Sequence, residues 1–237
     1  MNNHTYGELA KYYDIVYANK DYRKEAEEVS DLIKKYKKTD QNLLLDVACG
    51  TGMHLTYFQK NFSCTGIDLS QHMLKIARSR LKNVKLHRAD MLNFNLGETF
   101  DVVTCLFGSI GYSKTLLDLK KVVNGCYRHL KLGGVLVMDS WYRKEQWKPG
   151  AIKIGVYSTK DVKLIRASYN SIDGRIAIFN EHYLLAEKDK GIRHFFDSYK
   201  FGLFERIEIV KILKACHFNR IVIKRIYGNH DRYIAVK

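Results

Sequence analysis

Two carboxylates and two glycines dominate the chemistry open to this sequence. Asp46 lies in the run Leu43-Leu44-Leu45-Asp46-Val47-Ala48-Cys49-Gly50-Thr51-Gly52, and Asp68 closes the next short stretch, Cys64-Thr65-Gly66-Ile67-Asp68. Glycines two apart let the backbone turn tightly and let a ligand approach amide N–H groups that a Cβ would shield. A carboxylate sixteen residues past Gly52 is placed to accept both hydroxyls of a ribose, an arrangement that disfavours a 2′-phosphate. Met73 is positioned to lie against an adenine face, and Asp90 to accept from the adenine amino group with the Met91 amide opposite it. Such a ligand carries adenosine: NAD, FAD or S-adenosylmethionine. The dinucleotide fingerprint wants a third glycine three residues after Gly52, and Leu55 stands there. A pyrophosphate is therefore disfavoured, and S-adenosylmethionine, which has none, gains.

These residues need elements to hold them. The apolar run to Val47 is too short for a helix and is bounded by glycine, as a buried parallel strand would be. The pattern predicts a helix from the glycine loop to Asn61, a strand ending at Asp68, a helix over Gln71–Leu81 and a strand over Val84–His87. It continues with a strand over Phe100–Leu106, a helix over Lys114–Leu130, a turn at Gly133-Gly134 and a strand over Val135–Asp139. Strands alternating with helices of this length mean βαβ units and a mostly parallel sheet, whose ligands sit beyond the carboxyl ends of the strands. Asp46, Asp68, Asp90, Ser109 and Asp139 all fall at that edge. Any one of them is explained as a helix cap; five together are less easily explained so. Upstream, Tyr6, Tyr12, Tyr13, Tyr17 and Tyr22 crowd one short segment, which reads either as a packed helix or as a lid of phenol rings over a cationic cofactor. From Tyr22 to Lys37 the spacing and charge order describe a covering helix.

Composition bounds the rest. A chain of 237 residues buries a sizeable core in one elaborated domain, or in one and a small second one. No apolar run is long enough to cross a bilayer and no signal-peptide pattern opens the chain, so no membrane role and a cytoplasmic location are expected. The formal charge of +15 admits an anionic partner, but Lys and Arg are spread along the chain, which suits a solvated surface. Five scattered cysteines without CxxC spacing argue for a reducing compartment and against structural zinc; no metal is expected. Cys49, beside the glycine loop, reads as a nucleophile or, better, as a small residue filling a tight turn.

Asp46-Val47-Ala48-Cys49-Gly50-Thr51-Gly52, Asp68, Ala89-Asp90-Met91 and Leu130-Lys131-Leu132-Gly133-Gly134 resemble the successive motifs of the class I S-adenosylmethionine-dependent methyltransferases. More narrowly, the chain resembles the N,N-dimethyltransferases acting on dTDP-linked amino sugars in macrolide biosynthesis, and more distantly the glycine N-methyltransferase-like enzymes. The narrower likeness runs from Tyr13-Asp14-Ile15-Val16-Tyr17 and Lys20-Asp21-Tyr22 through Phe107-Gly108-Ser109-Ile110-Gly111 to Leu203-Phe204-Glu205-Arg206. It implies an α/β fold: the Rossmann-like seven-stranded mostly parallel sheet of class I methyltransferases, with a small antiparallel β insertion. The last two strands would be Arg220–Ile226 and Arg232–Val236, after a helix over Phe204–Cys216. Residues 1–148 and 203–237 would form the cofactor-binding core, and 149–202 the insertion covering the substrate site. Within it, Val162–Ser171 and Arg175–Ala186 read as strands around a hairpin at Asp173-Gly174, with a second turn at Lys188–Gly191. A homodimer contact through the insertion is a further expectation from the resemblance.

The resemblance, with the residue reading above, implies cofactor contacts at Tyr22, Asp46, Ala48, Gly50, Gly52, Asp68, Met73, Asp90, Met91 and Leu106. It implies substrate contacts at Tyr13 and Tyr17, and by position at Arg166 and Arg232, either of which is otherwise an ordinary surface charge. Ala48 stands where the general family has its first glycine, as in the amino-sugar subgroup. Tyr112 stands where that subgroup has a histidine near the accepting amine, which bears on how the amine is handled and leaves the cofactor untouched. Tyr112 and Tyr17 are the catalytic candidates; a phenol is a poor base at its usual pKa near ~10 and more plausibly orients the amine. His182 and His194 are alternative acceptors. The expected activity is methyl transfer to a small molecule, an amine nitrogen first and that of a nucleotide-linked sugar in particular, so the acceptor partner would be anionic. Aligning lone pair and leaving group can be worth about 7–11 kcal/mol. The alternatives are an RNA or protein methylase, or a catalytically silent protein that binds an adenosine ligand. Nucleic acid is disfavoured because no RNA module or aromatic-and-basic stripe is present. The Asp/Asn-Pro-Pro-aromatic signature of adenine and glutamine methylases is absent too: its place reads Cys105-Leu106-Phe107-Gly108-Ser109.

Overall fold

The computed structural model describes residues 4–237. Its main sheet is built from β1 (Leu43–Val47), β2 (Ser63–Asp68), β3 (Lys85–Arg88), β4 (Phe100–Cys105), β5 (Leu130–Asp139), β10 (Arg220–Arg225) and β11 (Asp231–Val236). Their order is β10-β11-β5-β4-β1-β2-β3, parallel except that β11 runs antiparallel to both its neighbours. The order reverses between β1 and β4, so the crevice of an open α/β sheet lies between the loops that follow those two strands. The expected seven-stranded sheet is present.

Both faces of the sheet are covered. On one, α2 (Tyr22–Tyr36), α3 (Met53–Phe58) and α4 (Gln71–Arg80) lay Val29, Ile33, Leu55, Phe58, Leu74 and Ala77 against Leu44, Val102 and Val137. On the other, α5 (Leu116–Arg128) and α6 (Arg206–Ala215) bury Leu119, Val122, Ile209 and Leu213 against Leu45, Val103 and Leu136. Helix starts follow their capping residues: Asp21, Ser70 and Thr115 each accept an N–H of the first turn. The Thr115 cap also explains why α5 begins at Leu116, two residues later than its periodicity suggests.

Two features differ from the sequence reading. Gly133-Gly134 is an irregularity inside β5 and does not precede it, because pairing with β4 runs from Phe100–Leu130 to Val102–Val135 with a shift between them. Gly134 allows that close passage: a Cβ there would come within 3.0 Å of the Asp101 carbonyl oxygen. The 152–202 region carries four strands, β6 (Ile152–Ser158), β7 (Val162–Asp173), β8 (Ile176–Glu187) and β9 (Gly191–Gly202), in an antiparallel sheet of that order. Strand β6 went unread because its apolar residues, Ile152, Ile154 and Val156, face outward and are interrupted by lysine and glycine. The hairpin turns at Asp173-Gly174 and Lys188–Gly191 lie where expected.

The N-terminal segment joins the two sheets. A 3-10 turn (Glu8–Tyr12) runs into α1 (Tyr13–Val16). The His4 and Thr5 amides donate to the Asp197 carboxylate on β9 at 2.8 and 2.7 Å. Asp14 accepts from the Thr51 hydroxyl in the glycine loop at 2.7 Å and pairs with Arg80 on α4. Its tyrosines are thus held between the strand ends and the smaller sheet. All five cysteines are unpaired and buried. Among the described residues, no helix is long and apolar enough to cross a membrane.

Candidate active site

The loop after β1 turns through three left-handed residues, Ala48 (φ 59°), Gly50 (φ 56°) and Gly52 (φ 75°). Glycine adopts that conformation freely, whereas alanine pays roughly 1 kcal/mol for it. That cost is the physical content of the alanine-for-glycine departure at position 48. The loop is fastened to β2: the Gly50 N–H donates to Asp68 Oδ2 and the Ser70 N–H to Asp68 Oδ1, each at 2.8 Å. A carboxylate has about four acceptor positions, so Asp68 keeps acceptor capacity for a ligand's hydroxyls beside its amide bonds. Burial raises its pKa, against the amide bonds that favour the ionised form.

Further residues of the cofactor reading gather around this edge. Asp46 is buried and accepts from the Thr104 hydroxyl at 2.7 Å; burial pushes its carboxyl up to about 6. Asp90 is exposed beyond β3, its Oδ1 accepting the Leu92 N–H at 2.9 Å. Met73 is buried in the first turn of α4, and Met91 packs against the core. Leu106 is buried where β4 ends, beside the left-handed Phe107. Tyr22 is buried at the start of α2. Cys49 is buried and its thiol pKa is driven upward by desolvation, so it stays protonated and fills the turn.

This edge fits S-adenosylmethionine. A Cβ on Gly50 would meet nothing within 4 Å, so the loop leaves open space in front of its amides. Leu55, where a third glycine would stand, is fully buried, and its Cδ1 would lie 2.9 Å from a Cβ on Gly66. The close helix–strand approach is therefore made by a glycine on β2, not on α3. A cation is already accommodated nearby: the Lys20 ammonium lies 4.5, 4.8 and 5.0 Å from the ring centres of Phe107, Tyr227 and Tyr22.

Next to this edge a cavity of about 380 Å³ opens between the N-terminal tyrosines and the inner face of the smaller sheet. Tyr6, Tyr13, Tyr17 and Tyr112 line one side, Trp141, Trp147, Phe179 and Phe201 another, and Lys148 and Lys153 are exposed at its rim. Tyr17 stands edge-on to Phe107, with ring centres 5.2 Å apart, and so joins the cavity to the strand ends. The Tyr6 and Tyr112 hydroxyls are hydrogen-bonded to each other. Burial drives the pKa of Tyr17 and Tyr112 upward, so both phenols stay protonated at neutral pH.

Residues 44–134 match the model of a methyltransferase domain. The structure superimposes on that of DesVI from Streptomyces venezuelae with a TM-score of 0.89, at 34% identity over 96% of this chain and 98% of the other. It superimposes on S-adenosylmethionine-bound CalS10, an amino pentose methyltransferase from Micromonospora echinaspora, with a TM-score of 0.83 at 32% identity, over 94% and 95%. The sequence is 37% identical over 212 residues to dTDP-3-amino-3,6-dideoxy-alpha-D-glucopyranose N,N-dimethyltransferase of Streptomyces fradiae, covering 88% of this chain and 83% of that enzyme. The chain belongs to the dTDP-amino-sugar N,N-dimethyltransferase family. It is an S-adenosylmethionine-dependent methyltransferase.

The glycines of the methyltransferase's Phe107-Gly108-Ser109-Ile110-Gly111 stretch make room for Trp141. A Cβ on Gly108 (φ 70°) would lie 2.6 Å from Trp141 Cε3, and one on Gly111 2.9 Å from its Cβ. Gly108→Ala is expected to cost about 2–3 kcal/mol, combining left-handed strain with overpacking, as read by urea unfolding. A loss under 0.5 kcal/mol would show that Trp141 moves aside freely.

Arg232 corrects an expectation. It is 1% exposed and does not line the cavity. Its guanidinium grips Asp139 in a fork, at 2.6 and 2.9 Å, and reaches Glu25 on α2 at 3.0 Å. Its Nε and Nη2 protons are thus committed to carboxylates and the side chain lies outside the cavity, so no substrate role is carried forward for it. Arg166 does line the cavity, with Nε 3.7 Å from Glu181. His182 and His194 pair with each other at 2.9 Å on the outer face of the smaller sheet and do not line the cavity.

The methyltransferase has a charged hub that the sequence reading passed over by treating α2 as a covering helix. Glu25 is buried and receives His54 Nε2 at 2.7 Å, the Lys20 ammonium and Arg232. Asp139, at the far end, also accepts the Phe107 N–H at 3.0 Å, which fixes the loop after β4. Burial alone would raise the Glu25 carboxyl, but the hydrogen bond and charge of His54 and then of Lys20 bring it from 4.5 down to about 2. A carboxyl lowered on folding adds stability that is complete above its unfolded value and is lost as pH falls. Glu25 is therefore expected to make the methyltransferase lose about 3 kcal/mol between pH 4.5 and 2. Asp46, raised, runs the other way, costing stability as pH rises from 3.8 to about 6. Urea unfolding of the wild type and Glu25→Gln across pH 2–5 checks this: the variant should show the shallower slope.

Proposed function

We propose that this methyltransferase transfers methyl groups to the amine nitrogen of a nucleotide-linked amino sugar. The observation that carries the reading is the cavity itself: aromatic within, rimmed by Lys148 and Lys153, and joined at Tyr17 to the strand ends. Rings suit the apolar faces of a deoxysugar and its base, and exposed ammonium groups suit a diphosphate.

When bound, S-adenosylmethionine supplies a methyl group activated by its sulfonium. In this reading Asp68 holds the ribose hydroxyls, Asp90 and the Met91 amide meet the adenine, and Ala48, Gly50 and Gly52 shape the loop. The N-terminal tyrosines exclude water, while Tyr13, Tyr17 and Tyr112 align the amine by hydrogen bonds. Residues 149–202 act as the cover of the substrate site on the core formed by 1–148 and 203–237. The outer face of this cover exposes Ile152, Ile154, Val156 and Ile192 at about 70% each, which supports pairing with a second copy. Five unpaired thiols support residence in the cytoplasm.

The test supplies methyl-labelled S-adenosylmethionine with dTDP-3-amino-3,6-dideoxyglucose, its 3-hydroxyl counterpart, bulk RNA and a protein mixture. Label is expected on the amino sugar alone. Label on RNA or protein instead, or on nothing while cofactor still binds, would overturn the reading. Sedimentation velocity reads the pairing.

A further inference from the structure

One buried carboxylate in the cavity has no role in the reading above. Glu181 lies in the middle of β8, on the inner face, where the register sets Lys153, Ser168, Glu181 and Asp197 in one row across the four strands. It is 8% exposed and lines the cavity. One of its oxygens accepts the Tyr183 hydroxyl at 2.5 Å; the other is 3.7 Å from Arg166 Nε, beyond direct hydrogen-bond reach. Acceptor capacity therefore remains on a buried carboxylate that faces the acceptor's space.

We infer that Glu181 receives the acceptor's ammonium group and takes its proton, so that the nitrogen meets the methyl group with a free lone pair. The inference rests on the amino-sugar reading of this site. It is reached by elimination among the groups lining or bordering the cavity. The phenols of Tyr6, Tyr12, Tyr13, Tyr17, Tyr112, Tyr183 and Tyr199 are all held protonated by burial, and Tyr142 offers only another phenol, a poor base. Asp197 is occupied by the His4 and Thr5 amides and the Tyr199 hydroxyl. Arg166 and the two rim lysines are cations. Glu181 is the remaining base among these groups.

The proton step balances as follows. An N–H bond of the ammonium breaks, a Glu181 O–H bond forms, and the nitrogen keeps the electron pair. Methylation then regenerates an ammonium, and Glu181 returns its proton to solvent. Burial raises Glu181 while Arg166 and the Tyr183 hydroxyl oppose the rise and Asp197 adds to it, which favours proton uptake from a bound ammonium. The charge of Arg166 also acts on the Tyr17 phenol, and both side chains line the cavity.

Two measurements test the inference on the full chain. The first is calorimetry without turnover, with S-adenosylhomocysteine present, comparing dTDP-3-amino-3,6-dideoxyglucose with its 3-hydroxyl counterpart. The wild type is expected to prefer the amine at least tenfold, and Glu181→Gln to bind both alike with cofactor affinity unchanged. The second is the pH profile of kcat/KM. Glu181→Gln is expected to lower it about 100-fold and to abolish the acid limb. Tyr183→Phe, which removes a donor to the ionised form together with the acceptor of the Thr5 hydroxyl, is expected to move that limb to higher pH and so covers the case of a Glu181→Gln protein that folds poorly. A Glu181→Gln protein that keeps both the amine preference and the acid limb would overturn the inference. A wild type that binds neither nucleotide sugar would defeat the sugar reading instead. The amine preference is then read with cyclohexylamine against cyclohexanol, and equal binding of these by both proteins would overturn the inference as well.

Discussion

Asp68→Ala is expected to weaken S-adenosylmethionine binding about 1,000-fold, or about 4 kcal/mol. The carboxylate is already committed to the Gly50 and Ser70 amides at 2.8 Å each, so its position is fixed before any ligand arrives. A pre-aligned charged acceptor for two hydroxyls contributes about 1.5–3 kcal/mol per bond. Truncation also frees the Gly50 amide, loosening the loop whose left-handed turns shape the crevice. Asp68→Asn should fall between, because an amide oxygen still accepts but its nitrogen repels an N–H donor. Calorimetry with the cofactor alone reads the effect. Affinity within threefold of the wild type would remove the ribose from this edge and, with it, the geometric case for the cofactor's orientation.

Arg232→Met is expected to cost about 3–5 kcal/mol of folding stability in urea at neutral pH. The side chain is buried between two carboxylates, Asp139 and Glu25, and removing it leaves both with too little positive charge. Lys20 and His54 remain on Glu25, so the greater exposure to loss is at Asp139. Arg232→Lys should recover only part, since one ammonium cannot reproduce the forked contact. A loss below 1 kcal/mol would mean that water reaches these carboxylates. Because Asp139 holds the Phe107 amide, the same variant should also disorder the loop after β4 and reduce cofactor binding.

What the sequence disclosed, and what it hid, follows from the range of the interactions. The glycine loop, Asp68 and the alternation of strands and helices are written within about twenty residues, and they were legible. The caps at Asp21, Ser70 and Thr115 are local too. Glu25 and Arg232 are 207 positions apart, and nothing in either neighbourhood names the other. Arg232 was read as an open cation because its strand pattern says only that it lies at a strand end, not which side chains converge there. Glu181 was passed over for a similar reason. Its meaning depends on the register of β8 against β7 and β9, which puts it on the inner face with Ser168 and Asp197. Strand β6 was missed because its apolar side faces outward, the reverse of a strand packed on a core. At position 48 the departure from glycine was visible, but its cost appears only with the positive φ.

The place of β11 has a bearing on how the enzyme comes into being on the ribosome. This strand follows β5 only after the whole of the smaller sheet, α6 and β10, yet it lies inside the main sheet, with β5 on one side and β10 on the other. It delivers Arg232 to carboxylates on α2 and at the end of β5. A nascent chain that has already emerged through β5 holds that strand as an open sheet edge, with Asp139 lacking its arginine beside the future crevice. Cofactor capture during translation is therefore expected to be poor, and competence should appear abruptly once β11 slots into place.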